Sequence, residues 1–332
     1  MIDIKKNRYV DMIAEEWLGK LKNFFSAPCR PYITLPSKKR LYFDSYAHKL
    51  RYECLCKISS VYVNNRIYRK AYVKKLYNWW NNFDEIILAS PDFMDSQVKE
   101  WDTEGNEDIK LLEALSTVFV KYYETLSKKY GYDLVDKLNI KTCPYCNRQF
   151  IYTFKGIAVE RPELDHFYSK NKYPLFCLSF YNLIPACHSC NHVKSENKIG
   201  LNPYSRAFVR KFVITDEKGG QLTKSQIYKL RENEIKLDFD GEDIEEEKNV
   251  NVLGIKDVYN KHTDYVKELI DKSMAYDTHA RKALVESFQG AGYHPSQVYD
   301  FVWGIHLIDA EYEDRPLSKL TKDILDLLDI KR

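Results

Sequence analysis

The sequence has few glycines, and this scarcity excludes common classes of nucleotide-binding protein. Only 12 of the 332 residues are glycine. Neither the phosphate-binding pattern G-x-x-x-x-G-K-[ST] nor the dinucleotide-binding pattern G-x-G-x-x-G occurs. We therefore expect that any ATP-driven step belongs to a partner protein.

Long apolar runs are also lacking. No stretch of about 18 apolar residues is present, as a membrane-spanning helix requires. Charged residues interrupt the first part of the chain, where a secretory signal needs an apolar core. We therefore expect a cytoplasmic protein that makes no membrane contact.

Cysteine is too sparse for a disulfide-stapled fold. The chain has eight cysteines, and a reducing compartment would keep them as thiols. Four of them form two C-x2-C pairs, Cys143 with Cys146 and Cys187 with Cys190. Two such pairs supply four thiolates that surround Zn2+ at about 2.3 Å. The spacing predicts a closed, structural Zn2+ site that joins the ends of a motif without a core of its own.

The net charge of +3 conceals an alternation of charge along the chain. Residues 1–82 and 143–211 have an excess of basic side chains, whereas residues 83–142 and 212–332 have an excess of acidic ones. Such asymmetry is typical of a polyanion-binding face beside a partner-binding face, although solvated helix faces produce the same count.

Hydrophobic periodicity predicts an α+β protein that is predominantly helical. Helices are predicted over 11–25, 46–63, 68–83, 109–129, 258–274, 276–289 and the C-terminal segment LSKLTKDILDLLDI. Alternation predicts a hairpin around Gly156 and strands at 212–215 and 235–239. The acidic run 240–249 is predicted to be a solvated loop or linker. We divide the chain into a basic, then acidic helical region (1–140), a central motif (141–205), and strands, an acidic loop and C-terminal helices (206–332).

The central segment contains further residues suited to hydrolysis. Asp165-His166 and Asn182 lie between the cysteine pairs, and Asn191 directly follows the last cysteine. The joint pattern C-x2-C, DH, N-L-x3-C-x2-C-N-x2-K resembles the HNH endonucleases, the ββα-metal nucleases, in their zinc-knuckle form. The resemblance covers residues 143–198. It implies a small ββα-metal core with helical flanks and a metal-dependent hydrolysis of phosphodiester bonds.

The chemistry of phosphodiester hydrolysis suggests a role for each of these residues. Histidine titrates near neutrality, so neutral His166 is the predicted general base toward water. Asp165, on the opposite face of its strand, and Asn191 are predicted ligands of a catalytic divalent ion such as Mg2+. His192 remains an alternative to Asn191 as the second protein ligand of this ion. The resemblance implies a positioning role for Asn182, which holds the loop that orients the base.

Basic residues around the motif are predicted to contact nucleic-acid phosphates: Arg148, Lys170, Lys172, Lys194 and Lys198. His188 is predicted to lie on the surface, and Cys177 in the core. The segment 66–83 interleaves basic and aromatic residues. That pattern fits either an amphipathic core helix or a contact with unpaired nucleic acid.

Short phrases around the motif suggest a more specific role. DHFYSKNKYPL, YNLIPACHSCNHVKSENK and LNPY are similar to those of the defence-associated HNH proteins of the PtuB type, which work beside a PtuA-like ATPase in Septu and some retron systems. This similarity implies an anti-phage effector nuclease that acts with an ATPase partner on DNA or on RNA such as tRNA. Two alternatives stay open: a stand-alone restriction-type DNA endonuclease, and a non-catalytic zinc module that binds nucleic acid or protein.

Overall fold

A computed structural model describes residues 2, 4, 8–34, 37–103, 105–157, 159–304 and 314–330. Over these residues the protein is α+β and mostly helical, and its strands form small two-stranded antiparallel sheets. The coarse fold class predicted from periodicity is confirmed. No helix among the described residues is both long enough and apolar enough to cross a membrane.

The N-terminal part consists of helices and one hairpin. The elements are α1 (Arg8–Ser26), β1 (Cys29–Thr34), β2 (Arg40–Phe43), α2 (Tyr46–Val61), α3 (Arg66–Asn81), α4 (Phe83–Ile87), α5 (Pro91–Thr103) and α6 (Gly105–Leu138). Helix α2 begins at Ser45, whose side chain accepts a hydrogen bond from the backbone N–H of His48. Both α1 and α2 pack against α6. The four helices predicted in this part are confirmed, and α6 extends beyond the predicted range.

The central part contains two hairpins and one short helix. Its elements are β3 (Phe154–Lys155), β4 (Val159–Glu160), β5 (Glu163–His166), β6 (Leu183–Ala186) and α7 (His188–Lys194). The hairpin of β3 and β4 turns around Gly156, as predicted. Strands β5 and β6 pair antiparallel, with Asp165 opposite Ile184, and α7 packs on β5. The result is a strand–strand–helix unit.

The C-terminal part combines a hairpin with seven described helices. Its elements are β7 (Phe212–Ile214), α8 (Lys224–Ile227), β8 (Leu237–Phe239), α9 (Ile244–Val252), α10 (Ile255–Tyr259), α11 (Thr263–Ala275), α12 (Thr278–Gly290), α13 (Pro295–Trp303) and α14 (Ser318–Leu327). Both predicted strands and the C-terminal amphipathic helix are confirmed. The helix predicted over 258–274 is divided, because α10 ends before α11 begins.

The prediction of a solvated loop over the acidic run 240–249 is wrong, because most of this run belongs to α9. The side chain of Asp243 caps the helix by accepting hydrogen bonds from the backbone N–H groups of Glu245 and Glu246. Glu246 is fully buried, and its carboxylate accepts a hydrogen bond from the guanidinium of Arg206 at 2.8 Å. The acidic composition of this run suggests that it is solvated, because composition does not show that Arg206, distant in the chain, pairs with Glu246.

One continuous hydrophobic cluster includes residues from all three predicted regions. Trp17, Phe176, Phe212 and Ile324 are each buried within it. The indole N–H of Trp17 donates to the carbonyl oxygen of Leu178 at 2.9 Å, which attaches α1 to the central part. The strand–strand–helix unit is therefore supported by helices from both sides of the sequence.

Candidate functional site

Four cysteine side chains meet at one end of the strand–strand–helix unit. Cys143, Cys146, Cys187 and Cys190 are buried, and their sulfur atoms all lie within 4.8 Å of one another. Four thiolates this close fit a tetrahedral ion such as Zn2+. In the described part of the chain, this is the one group of three or more His, Cys, Asp or Glu ligands that gathers so closely. The predicted cysteine cluster is confirmed as a group that can hold a metal such as zinc.

Local backbone structure brings the cysteines together. The first turn closes because Asn147 adopts a left-handed φ of 47° and its N–H donates to the carbonyl oxygen of Cys143 at 2.7 Å. The second turn is the start of α7, where the Cys187 sulfur accepts the N–H of Cys190. The Cys187 N–H in turn donates to the Cys143 sulfur at 3.4 Å and joins the two turns. These N–H donors favour thiolate over thiol.

Asp165 faces α7, where a lysine of the same chain neutralises it. The Asp165 carboxylate lies 3.1 Å from Nζ of Lys194 and accepts a hydrogen bond from the Tyr145 hydroxyl at 2.7 Å. Lys194 also donates to the carbonyl oxygen of His166 at 2.7 Å, and its side chain has no exposed surface. Burial raises the pKa of Asp165, while Lys194 and Tyr145 act to lower it.

This placement corrects the prediction that Lys194 contacts nucleic-acid phosphates. A fully buried ammonium is not available to a phosphate at the surface. Its position instead offsets the cost of burying Asp165. Sequence reasoning grouped Lys194 with the other basic residues of the motif because residue type alone does not distinguish a buried lysine from an exposed one.

Asn191 lies on the same side of α7 but contacts a different carboxylate. Its side-chain amide donates to Glu163 at 2.5 Å, and the other Glu163 oxygen lies 2.9 Å from Nδ1 of His188. Asp165 and Asn191 therefore lie on the facing surfaces of β5 and α7, each engaged by a partner of its own. Sequence reasoning missed Glu163. The signal was its position two residues before Asp165, which places both on one face of a strand.

The two histidines of α7 are surface residues. His188 has an 81% exposed side chain, as predicted, and His192 is also exposed. Their rings stack with centroids 6.0 Å apart. The pKa of His188 is raised by its hydrogen bond to Glu163. His192 has no described contact with Asp165, so the structure leaves its alternative role as a metal ligand unsupported.

His166 points to the opposite face of β5, toward α6. Its ring meets the Tyr123 ring edge-on at a centroid distance of 4.3 Å, and its Nε2 lies 3.0 Å from the carbonyl oxygen of Cys177. A carbonyl oxygen can only accept, so Nε2 carries the proton and Nδ1 is the basic nitrogen. His166 is 6% exposed. Burial, helped by the charges of Lys170 and Lys194, lowers its pKa to about 3, so the ring is neutral at physiological pH.

Asn182 holds the connection between β5 and β6. Its buried amide donates to the carbonyl oxygens of Tyr168 at 3.1 Å and Phe176 at 3.0 Å, and its own oxygen accepts the Tyr168 N–H at 2.7 Å. Cys177, whose carbonyl meets His166, directly follows Phe176. Asn182 therefore holds the loop at Phe176, one residue before the loop contacts His166.

The other predicted phosphate-binding residues differ in exposure. Lys172 and Lys198 are exposed, whereas Arg148 and Lys170 are half-buried. The ammonium of Lys170 lies 5.1 Å from the centroid of the Tyr123 ring, beside His166. Of these four residues, Lys172 and Lys198 are the most accessible to a phosphate.

Helix α3 contains the basic and aromatic segment, and its aromatic residues are divided between core and surface. Tyr72 and Trp79 are buried, whereas Tyr68 and Tyr77 are exposed. The interpretation of this segment as an amphipathic core helix is confirmed for the buried side.

Comparison with known proteins identifies no relative. No protein-family model, no curated protein and no solved structure matches the chain. The function must therefore be inferred from the residues and contacts of the chain itself.

Proposed function

We propose that the protein is a metal-dependent endonuclease of the HNH type, which hydrolyses phosphodiester bonds of nucleic acid. One observation carries the proposal: β5, β6 and α7 follow one another as strand, strand and helix, and the cysteine cluster ties the turn that precedes these strands (Cys143 and Cys146) to the start of the helix (Cys187 and Cys190). Asp165-His166 ends the first strand, and Asn191 lies on the helix. This order and arrangement are those that the sequence resemblance implies.

His166 is the proposed general base. The Cys177 carbonyl accepts the Nε2 proton, which leaves Nδ1 to take a proton from water. In the buried state the low pKa keeps the ring neutral but makes it a weak base. Contact with solvent would remove the cost of charging the ring and raise its pKa toward the ordinary value near neutrality. Access of water and strength of the base would therefore increase together.

The oxygen atoms of Asp165, Asn191 and Glu163 are the donors proposed for a catalytic cation. Carboxylate and amide oxygens are the ligand types that Mg2+ prefers. When bound, such an ion supplies positive charge near the phosphate. The Lys194 ammonium pairs with Asp165 in the structure, so Asp165 must first be released from that contact.

The burial of His166 supports the version of the proposal in which a partner controls the nuclease. Tyr123 of α6 covers the ring, so a displacement of α6 would open the site. We therefore propose an anti-phage effector that acts with a PtuA-like ATPase on DNA or RNA. A stand-alone restriction-type enzyme would need the site to be open in the free chain.

A non-catalytic zinc module is the second candidate. The buried pair of Asp165 and Lys194 favours it, because a structural ion pair would have the same contacts. In that case the strand–strand–helix unit would bind nucleic acid or protein without hydrolysing it.

The variant His166→Ala tests the catalytic proposal. Cleavage of labelled DNA and RNA is measured with added Mg2+, for the protein alone and with any ATPase encoded beside it. We expect a fall in cleavage rate of about 100-fold or more. The zinc content should be retained and the variant should be folded at the assay temperature, with a lower melting temperature because a buried ring is lost. His279→Ala, at an exposed position on α12, is the matched control. Cleavage by His166→Ala at the wild-type rate would refute the mechanism.

A further inference from the structure

The segment after the first cysteine turn exposes a row of aromatic rings. Phe150, Tyr152 and Phe154 are 48%, 53% and 47% exposed, whereas Ile151 is buried. The row begins at an antiparallel bridge between Phe150 and Thr142, beside which the Ile151 N–H donates to the carbonyl oxygen of Lys141 at 2.8 Å, and it ends in strand β3. Alternation along an extended chain therefore directs the three rings outward. These three rings, of Phe150, Tyr152 and Phe154, form the aromatic row.

The rings of the aromatic row present flat apolar surface. The centroids of Phe150 and Tyr152 lie 4.8 Å apart with an angle of 16° between the ring planes. Ile157 and Val159 of the adjoining hairpin are exposed as well. Five exposed apolar side chains within ten residues of the chain indicate a binding surface. Nearly parallel rings fit a partner that has flat faces of its own.

The aromatic row lies beside the proposed nuclease unit. Gln149, next to Phe150, donates to the Ser189 hydroxyl of α7 at 3.5 Å. At the other end of the row, Lys155 is exposed, and its ammonium lies 5.6 Å from the centroid of the Tyr132 ring. Glu160 is the acidic residue paired across the hairpin from Phe154. The exposed side chains of Lys155, Lys172 and Lys198 belong to the same central part of the chain, and their positive charge complements a polyanion.

We propose that the aromatic row stacks the bases of an unpaired nucleic-acid strand and guides that strand to the unit of β5, β6 and α7. The inference rests on the proposed nuclease function and names its substrate class as single-stranded nucleic acid. Stacking accepts any base because every base has a flat face, but a duplex keeps those faces covered. Aromatic rings next to cations are the combination that single-strand binding proteins use.

The double variant Phe150→Leu/Tyr152→Leu tests the proposal, because leucine keeps apolar surface and removes the ring. Fluorescence anisotropy measures binding to labelled oligo-thymidylate, oligo-uridylate and a duplex of equal length, with no divalent metal added so that the strands stay intact. We expect the wild type to bind a single strand about 10-fold or more tightly than the duplex, and the double variant to lose about 10-fold or more of that affinity. Oligo-deoxyuridylate, measured in the same assay, has the same base as oligo-uridylate, so the tighter binder of that pair identifies the preferred sugar.

A matched control separates the aromatic row from exposed rings in general. Phe301→Leu removes a 71% exposed ring of α13 that lies 5.5 Å from Phe288, in the acidic part of the chain. We expect it to bind single strands as the wild type does. Melting temperature and zinc content establish that each variant is folded.

The outcomes distinguish this inference from the proposed function. Equal single-strand binding by wild type and double variant, or a wild-type preference for duplex, overturns the inference. So does a wild-type self-association that the double variant loses at unchanged oligonucleotide affinity, since the row would then bind a second copy of the chain. If cleavage depends on His166 but not on the aromatic row, the inference about the row is overturned and the nuclease proposal stands. If single-strand binding depends on the aromatic row but no condition gives cleavage, the row is supported as a binding site and the nuclease proposal is overturned.

Discussion

The variant Lys194→Met tests whether buried Asp165 depends on the ammonium beside it. In the wild type the Lys194 ammonium lies 3.1 Å from the Asp165 carboxylate and has no exposed surface, and it donates to the His166 carbonyl oxygen. Methionine fills a similar volume but leaves the carboxylate without its countercharge. Removing one partner of a buried pair costs about 3–5 kcal/mol. We expect a loss of that size in the free energy of unfolding at neutral pH.

The pH dependence of this loss follows from the pKa of Asp165. Burial raises that pKa in the folded protein, so the folded state holds the proton more tightly than the unfolded state. The resulting stability is present below the unfolded-state pKa and is lost as pH rises through the folded-state pKa. Without Lys194 the folded-state pKa rises further. The deficit of Lys194→Met relative to wild type should therefore be larger at about pH 8 than at about pH 5.

Urea denaturation followed by circular dichroism measures this deficit at both pH values. Asp165→Asn removes the charge, so the combination with Lys194→Met should recover part of the stability that Lys194→Met alone loses. Lys172→Met, at an exposed position of the same unit, is the control and should stay within about 0.5 kcal/mol of wild type. A deficit below about 1 kcal/mol, or one equal at both pH values, would refute the reasoning.

Three further variants test other contacts. Cys187→Ala should remove bound zinc, measured by elemental analysis, and lower the free energy of unfolding by several kcal/mol; unchanged zinc content would contradict the cluster. Glu246→Ala should cost about 3 kcal/mol because the partly buried N–H groups of Arg206 and Val209 lose their acceptor. Glu247→Gln, at a half-exposed position, should cost less than about 1 kcal/mol in the same denaturation assay. Equal losses for the two variants would argue against the contacts of the buried Glu246 carboxylate. Gly200→Ala should cost about 1–3 kcal/mol, since a Cβ there would overlap the backbone of α9. Gly19→Ala, with open space around it in α1, should instead raise the melting temperature.

Local patterns in the sequence were sufficient for many elements. The four helices predicted in the N-terminal part follow from apolar residues at helical spacing, and tertiary packing then places α1 and α2 against α6. The C-x2-C pairs place two sulfurs on one turn whatever surrounds them, so their spacing predicted the cysteine cluster. Alternation along β5 likewise predicted that Asp165 and His166 point to opposite faces. In each case the residues that decide the structure are close neighbours in the chain.

The sequence by itself determined the local elements, the cysteine turns and the order of the candidate site residues. Only the tertiary structure decided that Lys194 pairs with Asp165 and that Tyr123 packs on His166. It also decided that the buried carboxylate of Glu246, a residue of α9, accepts a hydrogen bond from Arg206. The physical reason is that the burial and the charge partner of a side chain depend on which surfaces pack together. Those surfaces come from distant parts of the chain, so residue type and spacing do not reveal them.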